Sequence, residues 1–158
     1  MEQYKRKDFA HYFNIATSSS PSWKIEGVGV DALSLSFNPQ IDQYKTILDD
    51  ISDATFNNYQ IQASISGKRI YKDDEIWEYL NEARKNSTYI ETEMLEIDMK
   101  SLNNESYDAL KYNVLIVINE FLGENATISY DLYVKGSPVI GTATITGGTP
   151  TFTATASL

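Results

Sequence analysis

The chain of 158 residues carries 22 acidic against 13 basic side chains, a net charge of -9, and no cysteine. That length fits one domain with its own core, since roughly 70% of the unfolded chain's surface is buried at this size. The charge excludes a phosphate grip built on clustered Lys and Arg, and the missing thiols exclude disulfides, thiolate metal sites and cysteine nucleophiles.

Residues 1–21 are basic at Lys5, Arg6 and Lys7, aromatic at Tyr4, Phe9, Tyr12 and Phe13, and end in "TSSSP". With few other apolar neighbours, the segment reads as an arm and hinge, with Phe9, Tyr12 and Phe13 docking on another subunit. Its charges stand where a signal peptide needs an apolar core, and the longest apolar run, "VLIVI", is too short to span a bilayer. The expectation is a chain made in the cytosol with no membrane segment, whose sequons at Asn86, Asn104 and Asn125 carry no sugar.

From Trp23 the period changes to two. Leu33, Leu35 and Phe37 alternate with Ser34, Ser36 and Asn38 in a predicted strand that Pro39 ends. Residues 38–58 follow with mixed periodicity and are too long for a plain connection, which marks them as functional or clamped by something else. A second alternation sets Tyr59, Ile61, Ala63 and Ile65 against Gln60, Gln62, Ser64 and Ser66, a polar face rich in amides. Residues 73–86 form the one good helix. Asp73 serves as N-cap, acids crowd the first turn, Ile76, Trp77 and Leu80 anchor an apolar stripe with Ala83, and Arg84 and Lys85 suit the last turn.

Residues 88–99 read as a strand with acids on both faces, and residues 111–121 as one apolar on both faces, therefore central or covered twice. Ile128, Tyr130, Leu132 and Val134 alternate in a third. Two more follow, the last with Phe152, Ala154, Ala156 and Leu158 opposite Thr151, Thr153, Thr155 and Ser157. Gly123, Gly136 and the Gly147-Gly148 pair punctuate them as turns. About seven strands and one helix, without β/α alternation, imply a mainly β fold: an antiparallel sandwich or partly closed barrel with one flanking α-helix.

Little in the inventory carries chemistry. The single histidine, His11, lies in the arm, a poor foundation for a Ser-His-Asp arrangement. Glu91 and Glu93, two apart on a strand, share a face that reads as surface rather than as a catalytic acid and nucleophile. Asp49, Asp50 and Asp53 offer oxygen ligands without the glycine and spaced acids of a calcium loop. "GVGV" precedes a strand instead of opening a helix, so it is no phosphate loop. The expectation is no catalytic residue, no cofactor and no metal: not an enzyme.

Residues 136–158 contain seven threonines and no charge. A flat, uncharged strand at a sheet edge is a template for edge-to-edge pairing. The cover expected for it is another copy of the chain, with Thr opposite Thr.

Three stretches resemble the tail tube (major tail) proteins of long-tailed bacteriophages. They are "GVGVDALSLSFNPQIDQYKTI", a strand running into a long loop; the helix of "YKDDEIWEYLNEAR"; and residues 109–155, with their Gly turns and Thr-rich "TFT" ending. The resemblance covers roughly residues 22–156 of a β-sandwich domain placed at 22–158. It implies six copies in a ring, inner sheets joined around a lumen, and rings stacked into the tail of a virion assembled in the bacterial cytoplasm. It also implies that residues 38–58, with Ile41, Tyr44, Ile47, Asp49, Asp50 and Asp53, reach the adjacent ring, while the arm and last strand bridge subunits. The partners so implied are the chain itself, tail terminator and baseplate or tail-tip proteins, and DNA passing through without specific binding.

Because phosphate contacts repeated in every subunit would trap DNA, a polar and acidic wall is expected, and Gln60, Gln62, Ser64, Glu91 and Glu93 are its candidates. The inner tube of a contractile tail or phage-derived bacteriocin is an alternative sharing the fold. A pilin-like or lectin-like binding module needs export, and a carboxylate hydrolase needs a concave acidic site.

Overall fold

The computed structural model describes residues 1–48 and 50–156, so the readings made for Asp49, Ser157 and Leu158 lie outside the described residues. After a 3-10 turn (Arg6–Asp8) the order is β1 (Phe9–Asn14), β2 (Trp23–Ile25), β3 (Pro39–Tyr44), β4 (Asp53–Tyr59), β5 (Gln62–Arg69), α1 (Glu75–Lys85), β6 (Ile90–Asp98), β7 (Tyr107–Leu122), β8 (Thr127–Thr146) and β9 (Thr149–Ala154). The main sheet runs β2-β1-β6-β7-β8-β5 with β9 also on β8, while β3 and β4 form a separate ribbon. Every pairing is antiparallel. The sheet curls until β2 touches β9, giving the expected mainly β, nearly closed architecture with one helix.

Alternation sends side chains to two cores. Phe13, Ile65, Met94, Tyr112 and Tyr130 face α1, which adds Ile76, Leu80 and Ala83. Tyr12, Trp23, Leu95, Ile97, Ala109 and Ala143 pack on the opposite face, inside the curl, with Phe152 against them. The sheet strands are apolar wherever both faces are covered, which is why β7 reads as a nearly continuous hydrophobic run.

The docking arm expected over residues 1–21 is corrected here. Its aromatic part is β1, a strand between β2 and β6. Tyr12 is 6% and Phe13 1% exposed, and these neighbours point into different cores of their own chain. Phe9 remains 41% exposed, stacked on Tyr4 at 5.4 Å.

Residues 32–37 are also not a strand. Their one bridge is Ser36 to Gln62, although Leu33 and Leu35 still pack against the first core. The alternation across Tyr59–Ile65 is divided between β4 and β5.

Gly136 is not a turn. Its positive φ of 72° bends β8, where Lys111 pairs with Val139 but Asn113 with Lys135, so residues 136–138 bulge from the ladder. Before the bend β8 pairs with β5 and after it with β9, while β7 runs along both halves. Glycine is also required at Gly141, where a Cβ would stand 2.3 Å from the Thr153 carbonyl oxygen.

The helix cap lies one residue later than expected. Asp74, not Asp73, is the N-cap, its carboxylate accepting from the Ile76 N–H at 3.1 Å, and Asp73 takes the left-handed conformation at φ 66°. Ile76 and Leu80 are buried as anchors. Trp77 is only half-buried, stacked on Phe121 at 6.1 Å, and the Arg84 guanidinium lies 4.3 Å from that ring.

A buried ion cluster joins these layers. Lys68 of β5 is fully buried, with its Nζ 2.9 Å from Glu26 Oε1 and 2.9 Å from Asp74 Oδ2, and it donates to the Val28 carbonyl at 2.6 Å. The Tyr130 hydroxyl donates to Glu26 Oε2 at 2.8 Å. Burial pushes the Glu26 carboxyl above its ordinary value, opposed by the Lys68 charge, and pushes the Tyr130 hydroxyl well up. One ammonium thus holds the loop before β3, the helix N-terminus and the sheet together, since desolvated charges persist only when paired.

Candidate assembly surfaces

The residues expected to reach a neighbour form a β-ribbon rather than a loop. β3 and β4 pair from Pro39↔Tyr59 to Tyr44↔Asp53 with a bulge at Gln40/Ile41, and every residue of the two strands except Gln40 is exposed. At 3.3–3.4 Å per residue the strands carry the tip about 20 Å from the base. Polar pairs lace it, with the Tyr44 hydroxyl donating to Asp53 at 3.0 Å and the Asn57 amide to Asp42 at 2.8 Å. Its apolar side chains have no comparable cover: Ile41, Phe56 and Tyr59 are about half exposed, and at the tip Ile47 is 102%, Leu48 91% and Ile51 83% exposed. Ile41, Tyr44, Ile47, Asp50 and Asp53 are thus gathered on one projection.

The face of the main sheet opposite α1 collects most of the candidate wall. Register places Glu91 beside Leu115, Glu93 beside Asn113, Gln62 beside Tyr133 and Ser64 beside Asp131, all on this face. The Ser64 hydroxyl donates to Asp131 at 2.7 Å. Hydrogen bonds from Asn119 and then Ser64 hold the Asp131 carboxyl below its usual range. Gln60 does not join the set, because it sits in the connection before β5, its N–H donating to the Phe37 carbonyl at 3.0 Å.

Two lysines that the sequence reading left out stand on the same face. Lys135 lies 3.2 Å from Glu91 Oε1 and Lys111 3.0 Å from Glu93 Oε2. The face is not free of cations; its cations are paired. The signal was present in the sequence as period two from Lys111 through Asn113 and Leu115, but only cross-strand register aligns it with the glutamates.

The uncharged β9 pairs with β8 through Gly141↔Ala154 to Thr146↔Thr149, and the Thr155 N–H extends the ladder to the Ile140 carbonyl at 2.9 Å. Phe152 turns toward the second core, while Thr151 and Thr153 are exposed. His11 pairs with Glu96 at 2.8 Å on the other face of β1 from Tyr12. Among the described residues no cluster of three or more His, Asp or Glu side chains is placed to hold a metal ion, and no helix is long and apolar enough to cross a membrane.

No family model and no curated protein matches this sequence. The fold has solved neighbours. It is similar to the SPP1 tail tube, with a TM-score of 0.63 and 12% identity over 85% of this chain and 77% of that one. It is also similar to a chain of the sixfold-symmetrised anti-feeding prophage baseplate, with a TM-score of 0.54 and 8% identity over 89% of this chain and 96% of that one. Both neighbours are structural components and not enzymes. A nearly closed antiparallel sheet, one flanking helix and these two neighbours together show that the chain has the tail-tube fold.

Proposed function

We propose that this chain is a structural subunit that polymerises with itself into a tail tube, as stacked six-membered rings around a channel through which DNA passes. The observation that carries the reading is the ribbon: it projects, and Ile47, Leu48 and Ile51 at its tip are almost wholly exposed, on a fold shared with the SPP1 tail tube. An isolated two-stranded ribbon is marginal in water, so a partner surface is needed to hold it. Ring number six is supported by the sixfold symmetry of the baseplate neighbour. In this reading the ribbon spans rings, β9 and its threonines lie near a neighbouring subunit, and the face bearing Gln62, Ser64, Glu91 and Glu93 lines the channel. Paired lysines fit a wall that polyanions slide past, because only unpaired cations add phosphate contacts. The place of action is the virion tail, built in the host cytoplasm, where terminator and tail-tip proteins end the polymer.

Electron microscopy of the concentrated protein tests this. Tubes with stacked six-membered rings are expected, and a monomeric particle at every concentration overturns it. The baseplate neighbour, 96% covered by the match, favours a second reading as a component of a contractile machine. Ring stacks that stop after one or two layers, instead of growing, would select that reading.

A further inference from the structure

We propose that the groove beside β1 is the receptor for the ribbon tip of a second copy of this chain. The inference rests on the tube reading above and names the surface that the ribbon meets. The groove, of about 950 Å³, opens between the 3-10 turn, β1 and residues 25–37. That volume is at the upper end of pockets that bury a compact ligand, about 300–1,000 Å³, and suits a few aliphatic side chains. Phe9, Ala10, Val30, Leu33 and Leu35 give it an apolar wall.

The occupant is identified by what the two surfaces lack. Ile47, Leu48 and Ile51 at the tip are almost wholly exposed, so the chain's own tip does not fill its own groove. Phe37, where the ribbon departs, is itself part of the groove wall, and about 20 Å of paired strand then separates base from tip. A groove and a ribbon on different parts of one surface make a head-to-tail contact, which leaves each copy with an unused groove and an unused tip and can repeat from ring to ring, where a self-complementary contact would stop at a dimer.

Charge agrees. The tip carries Asp50 and Asp53, and its one cation, Lys45, is turned onto the Asp50 carbonyl at 3.1 Å. The groove offers Lys7 and Arg6, both exposed, the Arg6 guanidinium resting on the Val30 and Asp31 carbonyls with its charge unneutralised, and its Glu96 carboxylate is already engaged by His11 at 2.8 Å. Complementary charge at the edge of an apolar contact sets register and rejects wrong pairings.

The natural chain has no cysteine, so paired cysteines report proximity without background. Ile47→Cys and Ala32→Cys together should give a ladder of covalent multimers when the polymer is oxidised, whereas either alone stops at a dimer. Separately, Arg6→Glu with Lys7→Glu should raise the concentration needed for polymerisation by about tenfold or more, and adding Asp50→Lys with Asp53→Lys should restore it. Tubes that form without the ladder and are indifferent to the charge swap overturn the groove and leave the tube reading standing. Failure of the unaltered chain to polymerise overturns both.

Discussion

The ribbon and the main sheet are built from the same antiparallel ladder, yet they treat apolar side chains in opposite ways. In β1 and β6, consecutive residues such as Tyr12 and Phe13, or Met94 and Leu95, are buried on opposite faces of one strand. In β3 and β4, Ile41, Tyr44, Phe56 and Tyr59 remain about half in water despite pairing along both strands. Backbone hydrogen bonds alone therefore do not decide where hydrophobic burial happens. The main sheet is completed by α1, by the loop that Lys68 clamps and by its own curl, whereas the ribbon has beyond its own pairing the Phe37 ring against Tyr59 at its base, which leaves its tip in need of a docking partner.

Breaking the clamp separates the two regions most sharply. Lys68→Ala leaves Glu26 and Asp74 buried without their counter-charge and should cost about 3–5 kcal/mol in denaturant unfolding. Leu80→Ala, removing a helix anchor from the first core, should cost about 2–5 kcal/mol by the same measurement. Ile47→Asp, Leu48→Asp and Ile51→Asp combined should leave monomer stability within about 0.5 kcal/mol, as surface changes do, while abolishing polymer in light scattering. A large loss of monomer stability in that triple variant would mean that the ribbon belongs to the body after all.

The paired face sharpens the contrast further. Glu91→Gln with Glu93→Gln should change stability by less than about 1 kcal/mol, because exposed ion pairs contribute little. The same change frees Lys111 and Lys135, and the assembled particle should then retain DNA at low salt and release it as salt is raised. No retention would argue that this face does not meet DNA.

The smallest effects lie in pH. Asp131, with its pKa lowered, contributes stability that is present above its ordinary 3.8 and lost as pH falls through the depressed folded value. Asp131→Asn should remove that acid-side slope. Glu26, with its pKa raised, works in the other direction: its contribution is full below 4.5 and declines as pH rises through the elevated folded value. Glu26→Gln should flatten that decline in stability measured across pH.

These regions also differ in how far the sequence revealed them. β6, β7, the first half of β8 and α1 were legible because each keeps one clear period or an unbroken apolar run. β1 was not, since a strand buried on both faces over six residues has no period, and its Phe9, Tyr12 and Phe13 looked like a cluster without neighbours. Leu33 and Leu35 misled in the reverse sense, alternating as a strand does while packing from an extended segment. Gly136 was read as a turn because a positive φ serves a turn and a bulge equally. Lys68 escaped because its partners, Glu26 and Asp74, lie 42 residues before and six after it, and a lysine reads as surface until the fold encloses it. Of the candidate surfaces, the ribbon was visible as a long excursion, and the shared face of Glu91 and Glu93 as a spacing of two. The paired lysines needed the register.

The bend at Gly136 leaves β8 as one strand of twenty residues held by β7 on one side and by β5 and then β9 on the other. Its contacts with β7 and β9 close over short turns, so their loop entropy is small, whereas β1 must find β6 about 80 residues further along the chain. Folding should therefore nucleate on the β7-β8-β9 meander and add the amino-terminal strand late. During synthesis β1 would emerge before β6 and wait for it. Core substitutions in β8 should then slow refolding, and those at Tyr12 or Phe13 should mainly speed unfolding.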